Sequence, residues 1–498
     1  MKHVNHITNS SKTFLGGIFI VCLLIGSCKE EFLEVDPQGQ QPEEQFWADE
    51  GDATEAVSAL YGNLRGWTNV AFAPMAIESL ASDDAEKGSS PGDASFLNKF
   101  DDFTATSTEG QLFDFWSGQY QNINFANQIL ANIPAINMDA NLKTRYLAEA
   151  KFMRAYSHFR LVRAFGDVVL RLNLAAGAEE FNLPRTPKEQ VYAAIEQDLV
   201  DAASILPQSY GPTDLGRVTK GAALALHAKV ALYQRKWSDV LALTTQVMGL
   251  GYALFPDYEA QFRIANENNV ESIFEIQAKF VQGNCDISNS QYSQIQGVRG
   301  AVGGGWGFNV PTADLAASYE ANDPRRDATI IFRGETTPSG DAIASIGDNP
   351  RYNQKSYVPF STYLSCAEGS EQNIRVIRYA DVLLMNAEAA NEIGGAANTT
   401  QALNSLNAVR ARARGSNPLT VLPPVVTTDQ AALRAAIYRE RRSELAMEFD
   451  RFFDVIRQGR GAEVFGPKGF VAGRNEVWPL PQNEIDVSAG ILTQNSGY

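Results

Sequence analysis

Histidine and cysteine are scarce, with four of each in 498 residues. No CxxC or HxxxH spacing occurs, so no metal-ligand set is legible, and no metal or cofactor is expected. His158 and His227 each lie inside an apolar helical pattern, where an imidazole is more often packed than catalytic. Positive charge is also in deficit. Lys and Arg total 42 against 58 Asp and Glu, a net charge of −16. That balance argues against nucleic acid as a partner and suits neutral or cationic ligands. Long apolar runs are missing too. The one apolar run, from Phe14 to Ile25, is well short of the ~20 residues that span a bilayer.

That run has the parts of an export signal in order. Lys2 and Lys12 accompany it, no acid precedes Glu30, and the exit reads Ile25-Gly26-Ser27-Cys28. Small residues before a cysteine resemble a bacterial lipobox, in which the thiol is acylated and the chain is cut just before it. Residues 1–27 are thus expected to be a lipoprotein signal and Cys28 the lipidation site; the alternative is an ordinary signal peptide with an incidental cysteine. Each buried CH₂ contributes about 0.8 kcal/mol, so two or three acyl chains hold stably. Lys29-Glu30-Glu31 would be the new N-terminus, and acids there resemble a surface-export signal. Beyond Cys28 only Cys285 and Cys366 remain. A disulfide or two free thiols are both open to them.

The texture is helical at both ends and irregular in the middle. In "TRYLAEAKFMRAYSHFRLVRAFG" apolar residues fall at Ala148, Phe152, Ala155, Phe159 and Val162, an amphipathic helix that Gly166 stops. "TPKEQVYAAIEQDLVDAASILP" predicts a helix with a Thr cap and Pro in its first turn. "GRVTKGAALALHAKVALYQRKWSDVLALTTQVMGLG" reads as two helices broken near Lys236, with Ala222, Ala225 and Ala228 allowing close packing. "RYADVLLMNAEAANEIGGAANTTQALNSLNAVRARARG" repeats helix, Gly-Gly turn, helix. "DQAALRAAIYRERRSELAMEFDRFFDVIRQG" predicts one more long helix with an Asp cap. Such pairs resemble tetratricopeptide-type hairpins. Residues 251–375 are rich in Gly, Asn, Ser and aromatics, with short β-like runs at 271–278 and 328–334. The expected fold is mainly α: helix pairs as scaffold (28–250 and 376–498) and a loop-rich, ligand-facing region (251–375) with a few short strands.

Catalytic motifs fail on inspection. "GSSPG" at 88–92 matches a nucleophile elbow, but Pro91 removes the N–H that an oxyanion hole needs there. "GGGWG" at 303–307 lacks the Lys-Ser/Thr of a P-loop. Asp83, Asp84 and Glu86 can be read as hydrolytic carboxylates, as loop acids, or as acceptors for a ligand. Glu440, Glu444 and Glu448 share a helix face near Arg441, Arg442 and Arg451, which suggests ion pairs fastening a terminal helix.

Four stretches together resemble the SusD/RagB family of outer-membrane nutrient-uptake lipoproteins: "CKEEFLEVDPQG" (28–39), "RYADVLLMNAEAANEIGG" (378–395), "ERRSELAMEFDRFFDVIRQGR" (440–460) and "WPLPQNEIDVSAGILTQNSGY" (478–498). The stretches at 109–133 and 150–168 also look like the family. The resemblance spans residues 28–498 in order, as a single unit. It implies a nonenzymatic lipoprotein at the outer membrane, facing outward, that captures oligosaccharides and passes them to a TonB-dependent, SusC-like transporter barrel. A peptide-capturing relative, a secreted glycoside hydrolase and a helical-repeat adaptor for proteins remain as alternatives. Sugars offer apolar C–H faces to aromatic rings and hydroxyls to polar side chains. Trp116 and Trp237 have helical core spacing, and Trp478 lies in the structural tail. Trp306 in its Gly-rich loop is either a stacking platform or a loop anchor. With Tyr292 and Phe308 it makes the middle-loop candidate set; Trp67, Phe96, Asp83 and Asp84 make the early-loop set.

Overall fold

The computed structural model describes residues 46–177, 180–279, 289–300, 304–363 and 369–498. The signal segment, Cys28, Cys285 and Cys366 lie outside the described residues.

The main helices are α1 (Glu50–Asn63), α2 (Gly110–Asn132), α3 (Ala140–Phe165), α4 (Lys188–Ile205), α5 (Lys220–Tyr233), α6 (Trp237–Met248), α7 (Tyr379–Ile393), α8 (Ala396–Arg414), α9 (Gln430–Leu445) and α10 (Arg451–Arg457). From α2 to α8 each helix packs on the next, and α7 also packs on α9. This is the layered order of a helical-repeat scaffold. The loop-rich region enters between α6 and α7 without interrupting their contact. Small residues allow the close approach: Gly221, Ala222, Ala225, Ala228 and Ala231 of α5 are all buried. A side chain at Gly221 would strike the Tyr252 ring, with its hydroxyl 2.3 Å from the added carbon.

Strands are short and paired in twos. β1 (Ala85–Gly88), β2 (Ser272–Ile276), β3 (Phe308–Pro311), β4 (Ile330–Phe332), β5 (Arg351–Asn353) and β6 (Ile374–Arg378) form the antiparallel pairs β1–β3, β2–β6 and β4–β5. β1 and β3 join the two loop regions, with Ala85 opposite Pro311 and Gly88 opposite Phe308.

Two local expectations need correction. Thr186 does not cap α4; its N–H bonds to Val168 O at 2.8 Å, and Pro187 occupies the cap position. The cap comes from outside the segment, as Asp167 Oδ1 accepts the Lys188 N–H at 2.9 Å. The long terminal helix is broken: α9 ends at Leu445, and Met447 (φ 64°) and Phe449 (φ 69°) adopt left-handed backbone before α10. The break turns Glu448 inward, onto Arg378 (2.8 Å) and Lys355 (2.7 Å).

The acids at the end of α9 do form ion pairs, and these are buried. Glu444 meets Arg412 from α8, Arg378 from β6 (3.1 Å) and Arg325 from the loop-rich region (3.3 Å). Glu440 holds Arg325 at 2.6 Å and Arg410 at 2.7 Å. Glu271 bonds both Arg378 and Arg412 at 2.5 Å. The buried members balance, with Glu271, Asp323, Glu440, Glu444 and Glu448 against Arg325, Lys355, Arg378, Arg410 and Arg412; Arg410 also reaches the exposed Glu320 at 2.8 Å. Burial works to raise the Glu444 pKa, but the charges of Arg412, Arg378 and Arg325 outweigh it and hold the carboxyl below its ordinary value.

Removing one member of a buried ion pair leaves an uncompensated charge and costs about 3–5 kcal/mol. Glu444→Ala is therefore expected to lower unfolding free energy by that amount in urea titration; an unchanged midpoint would contradict the role. Because the folded-state pKa lies below the ordinary one, this contribution is complete above pH 4.5 and is lost as pH falls towards about 2.

Candidate functional site

The early and middle loops meet at a cluster of aromatic rings. Trp67 opens a one-turn helix, Trp67–Val70, and Phe72 follows it. Phe96 sits in a 3-10 turn, Ser95–Leu97, and Trp306 precedes β3, which begins with Phe308. Phe72 is the hub, with ring centroids 5.2 Å from Trp67, 6.0 Å from Trp306, 5.0 Å from Phe308 and 6.4 Å from Phe96. Trp67 and Trp306 are 6.1 Å apart. Such tilted and edge-on contacts suit the ring quadrupoles. Phe308 is buried, Trp306 half-buried, and Trp67 and Phe96 are 40% and 36% exposed. The result is an aromatic ledge: a buried base carrying two open rings and one partly open ring.

The Trp306 segment is clamped. Trp306 N–H bonds to Gln294 O at 2.8 Å, and Gly307 N–H to Gly297 O at 2.9 Å. Asn349 Nδ2 and Ser89 N–H both donate to Gly307 O, at 2.7 and 2.6 Å. Gly305 must be glycine here, since an added carbon would lie 2.3 Å from the Gly297 carbonyl carbon. Trp306 is therefore both an anchor against Phe72 and a partly open ring. Polar groups flank it: Arg299 pairs with Asp93 (2.6 Å) and donates to Ser89 Oγ (2.5 Å) and Trp306 O (3.3 Å). Lys87 Nζ lies 5.7 Å from the centre of the Phe308 ring.

Three expected site residues are placed elsewhere. Tyr292 lies on the short helix that backs Trp306, but its ring turns to Phe449, 5.6 Å away, beside a cavity of about 70 Å³. Burial pushes its phenol well above the ordinary tyrosine range. Asp83 and Asp84 precede the Ala85 end of the β1–β3 ribbon, whereas the ledge stands at the Gly88–Phe308 end, roughly 10 Å away at about 3.3 Å per residue. Arg451 grips Asp83 through two bonds of 2.7 and 2.8 Å, and Arg442 bonds Asp84 at 2.7 Å. Burial works to raise the Asp83 pKa, but the hydrogen bonds and charge of Arg451, with Arg442, hold it below the usual carboxylate range. These acids join β1 to α9 and α10. Phe72, Arg299 and Asp93 were not among the sequence candidates. Phe72 is a ledge residue five positions after Trp67, in the same stretch; nothing local marks Arg299 and Asp93, because they meet only in the fold.

His158 is structural. Its Nδ1 faces Arg154 O at 3.1 Å, and its Nε2 accepts the Arg171 N–H at 3.3 Å. Burial and the nearby Arg154 charge push its pKa down to about 3. Among the described residues no group of three or more His, Cys, Asp or Glu is arranged to hold a metal ion, and no helix is long and apolar enough to cross a membrane.

A helical-repeat scaffold presenting an open aromatic ledge has the layout of a binding protein. Residues 270–498 match the profile of the SusD family, and residues 31–232 match a family described as starch-binding associating with outer membrane. SusD-like protein P2 of Formosa agariphila is 30% identical, over 96% of this chain and 99% of its own length. A SusD-like protein of Bacteroides ovatus is 26% identical, over 88% and 81%. The solved structure of a laminarin binding SusD-like protein superposes with a TM-score of 0.78 at 30% identity, covering 91% of this chain and all of that one. Surface glycan-binding protein A from Bacteroides thetaiotaomicron, solved with laminarihexaose, shares the fold at a TM-score of 0.75 and 22% identity, over 90% and 100%. The chain belongs to the SusD family.

The ion pairs at Asp83 separate structural from ligand roles. Asp83→Asn is expected to lower the thermal midpoint while leaving saccharide affinity within about twofold, under 0.5 kcal/mol. A large affinity loss in calorimetry, with the midpoint unchanged, would make Asp83 a ligand contact instead.

Proposed function

We propose that this protein captures oligosaccharides on the aromatic ledge and hands them to a TonB-dependent transporter barrel in the outer membrane. The observation that carries this reading is the exposed Trp67 ring beside the partly open Trp306 ring, 6.1 Å apart on a rigid base. Two such rings match the apolar faces of neighbouring sugar units, and Arg299 and Asp93 are placed to serve hydroxyl groups. Asp83 and Asp84, the acids readable as a hydrolytic pair, are committed to arginines and not set across a cleft from each other, the arrangement that glycoside hydrolysis uses. We therefore read the protein as nonenzymatic. The laminarin binding relative, at 30% identity, makes a neutral glucan of that kind the first ligand to test.

The anchor in this reading is an acylated Cys28, holding the protein to the outer membrane with its ledge facing outward. The description of the family matched by residues 31–232, associating with outer membrane, supports this placement.

Calorimetry with laminarin-derived oligosaccharides, maltooligosaccharides and peptides tests the ligand. Saturable saccharide binding is expected, and Trp306→Ala should weaken it at least about tenfold, roughly 1.4 kcal/mol. Binding of peptides alone would move the protein to peptide capture, and saccharide binding unchanged by the substitution would displace the site from the ledge. For the anchor, Cys28→Ala is expected to leave the protein unacylated by mass spectrometry and released from membranes; retention in the membrane fraction would refute it.

A further inference from the structure

A second built cavity lies away from the ledge. It holds about 390 Å³, within the ~300–1,000 Å³ range of small-molecule sites. One wall is α2, through Trp116, Tyr120 and Asn124; a second is made by residues 169–175 together with Phe181 and Asn182; the third is the tail, through Glu484. On α2, residues 116, 117, 120, 123, 124 and 127 line the cavity, whereas Gly118, Gln119 and Asn122 face the Trp67–Val70 helix and its Asn69. At 100° per residue these are different faces of one helix, so the two sites are separate.

The cavity walls are fixed by hydrogen bonds. Tyr120 OH donates to Val169 O at 2.7 Å, and Asn127 Nδ2 donates to Arg171 O (3.2 Å) and Asn173 O (3.3 Å). Arg154 Nη1 holds Asn127 Oδ1 at 2.9 Å and Leu172 O at 2.5 Å. The tail wall is tied down by Asn495 Nδ2, which bonds Phe165 O (2.9 Å) and Trp478 O (2.7 Å). A cavity so braced does not have to be ordered at the moment of binding.

Its chemistry is mixed. Phe181 is 64% exposed, an open ring at the rim. Asn124 and Asn182 are exposed amides, and Glu484 accepts a hydrogen bond from the Trp116 side chain. Arg171 supplies a cation whose guanidinium is braced on Glu180 O. Rings beside amides, with one acid and one base, suit a neutral polyhydroxylated ring better than an acyl chain or an ion. Among the described lining residues Glu484 is the one carboxylate, so they do not form the pair that glycosidic cleavage uses.

We infer that this cleft is a second saccharide site, taking one or two neutral sugar rings, with Phe181 as the stacking face and Asn124, Asn182 and Glu484 as hydroxyl partners. This rests on reading the protein as one that binds saccharides. A second site on another face lets one protein hold a branched or long glucan at two points, raising retention without tighter contact at either.

The test uses the full chain, with glucose and laminaribiose as probes up to about 20 mM, to reach the mM dissociation constants of single-ring sites. The Trp116 indole N–H resonance, assigned from Trp116→Phe, reports the cleft. Calorimetry on the parent and on Trp67→Ala/Trp306→Ala reports the ledge. The expected result is a saturable Trp116 shift that survives the ledge substitutions and weakens at least tenfold in Phe181→Ala/Glu484→Gln, with the fold intact. Ledge binding with a silent Trp116 would overturn the cleft and leave the proposed function standing. A Trp116 shift with no binding attributable to the ledge would do the reverse. Silence in both would remove both.

Discussion

The structure depends on a balanced set of charges buried where α9 ends. Glu444 is fully buried and touches arginines from α8, β6 and the loop-rich region. Four segments distant in sequence are thereby fixed at one carboxylate. Apolar side chains of similar volume often stabilise such a place as well or better. Charges add directional constraint, since a guanidinium and a carboxylate must meet edge to edge. The constraint falls where the helical scaffold receives the loop-rich region, at the chain break after Leu445. At that break Met447 and Phe449 take left-handed backbone, and Glu448 between them pairs with Arg378 and Lys355.

From that point the order extends outward to the ledge. Arg442 and Arg451, on either side of the break, hold Asp84 and Asp83. Those acids set the start of β1, and β1 pairs with β3, whose first residue is the buried floor of the ledge. The open rings of Trp67 and Trp306 thus stand on a path of paired strands and ion pairs that leads back into the core. Binding to a surface already in place spares the ordering cost that a mobile loop would carry.

Much of the scaffold was legible because its helices repeat apolar residues at helical spacing, as at Ala148, Phe152, Ala155, Phe159 and Val162. Family resemblance added the architecture. Periodicity failed at the Glu440-Glu444-Glu448 series, where even i, i+4 spacing suggested an unbroken helix; the partners that bend the chain lie far away in sequence. Trp67, Phe96, Trp306 and Phe308 were legible as aromatics in irregular segments, but their meeting was not, since it depends on the β1–β3 pairing. The same distance hid Arg442 and Arg451 from Asp83 and Asp84, which from sequence alone pass equally well for ligand acceptors. The cleft beside Trp116 was invisible for a related reason: helical spacing marks a tryptophan as core without showing that its rim is open.

The most direct test of the central claim, that a rigid ledge receives the ligand, is a crystal structure of the protein with a laminarin-derived oligosaccharide bound. The account predicts sugar rings against Trp67 and Trp306, with the Trp306 backbone still bonded to Gln294 and the α9–α10 break unchanged. An oligosaccharide seated elsewhere with the ledge bare, or a ledge formed only after the 304–308 backbone has moved, would contradict it.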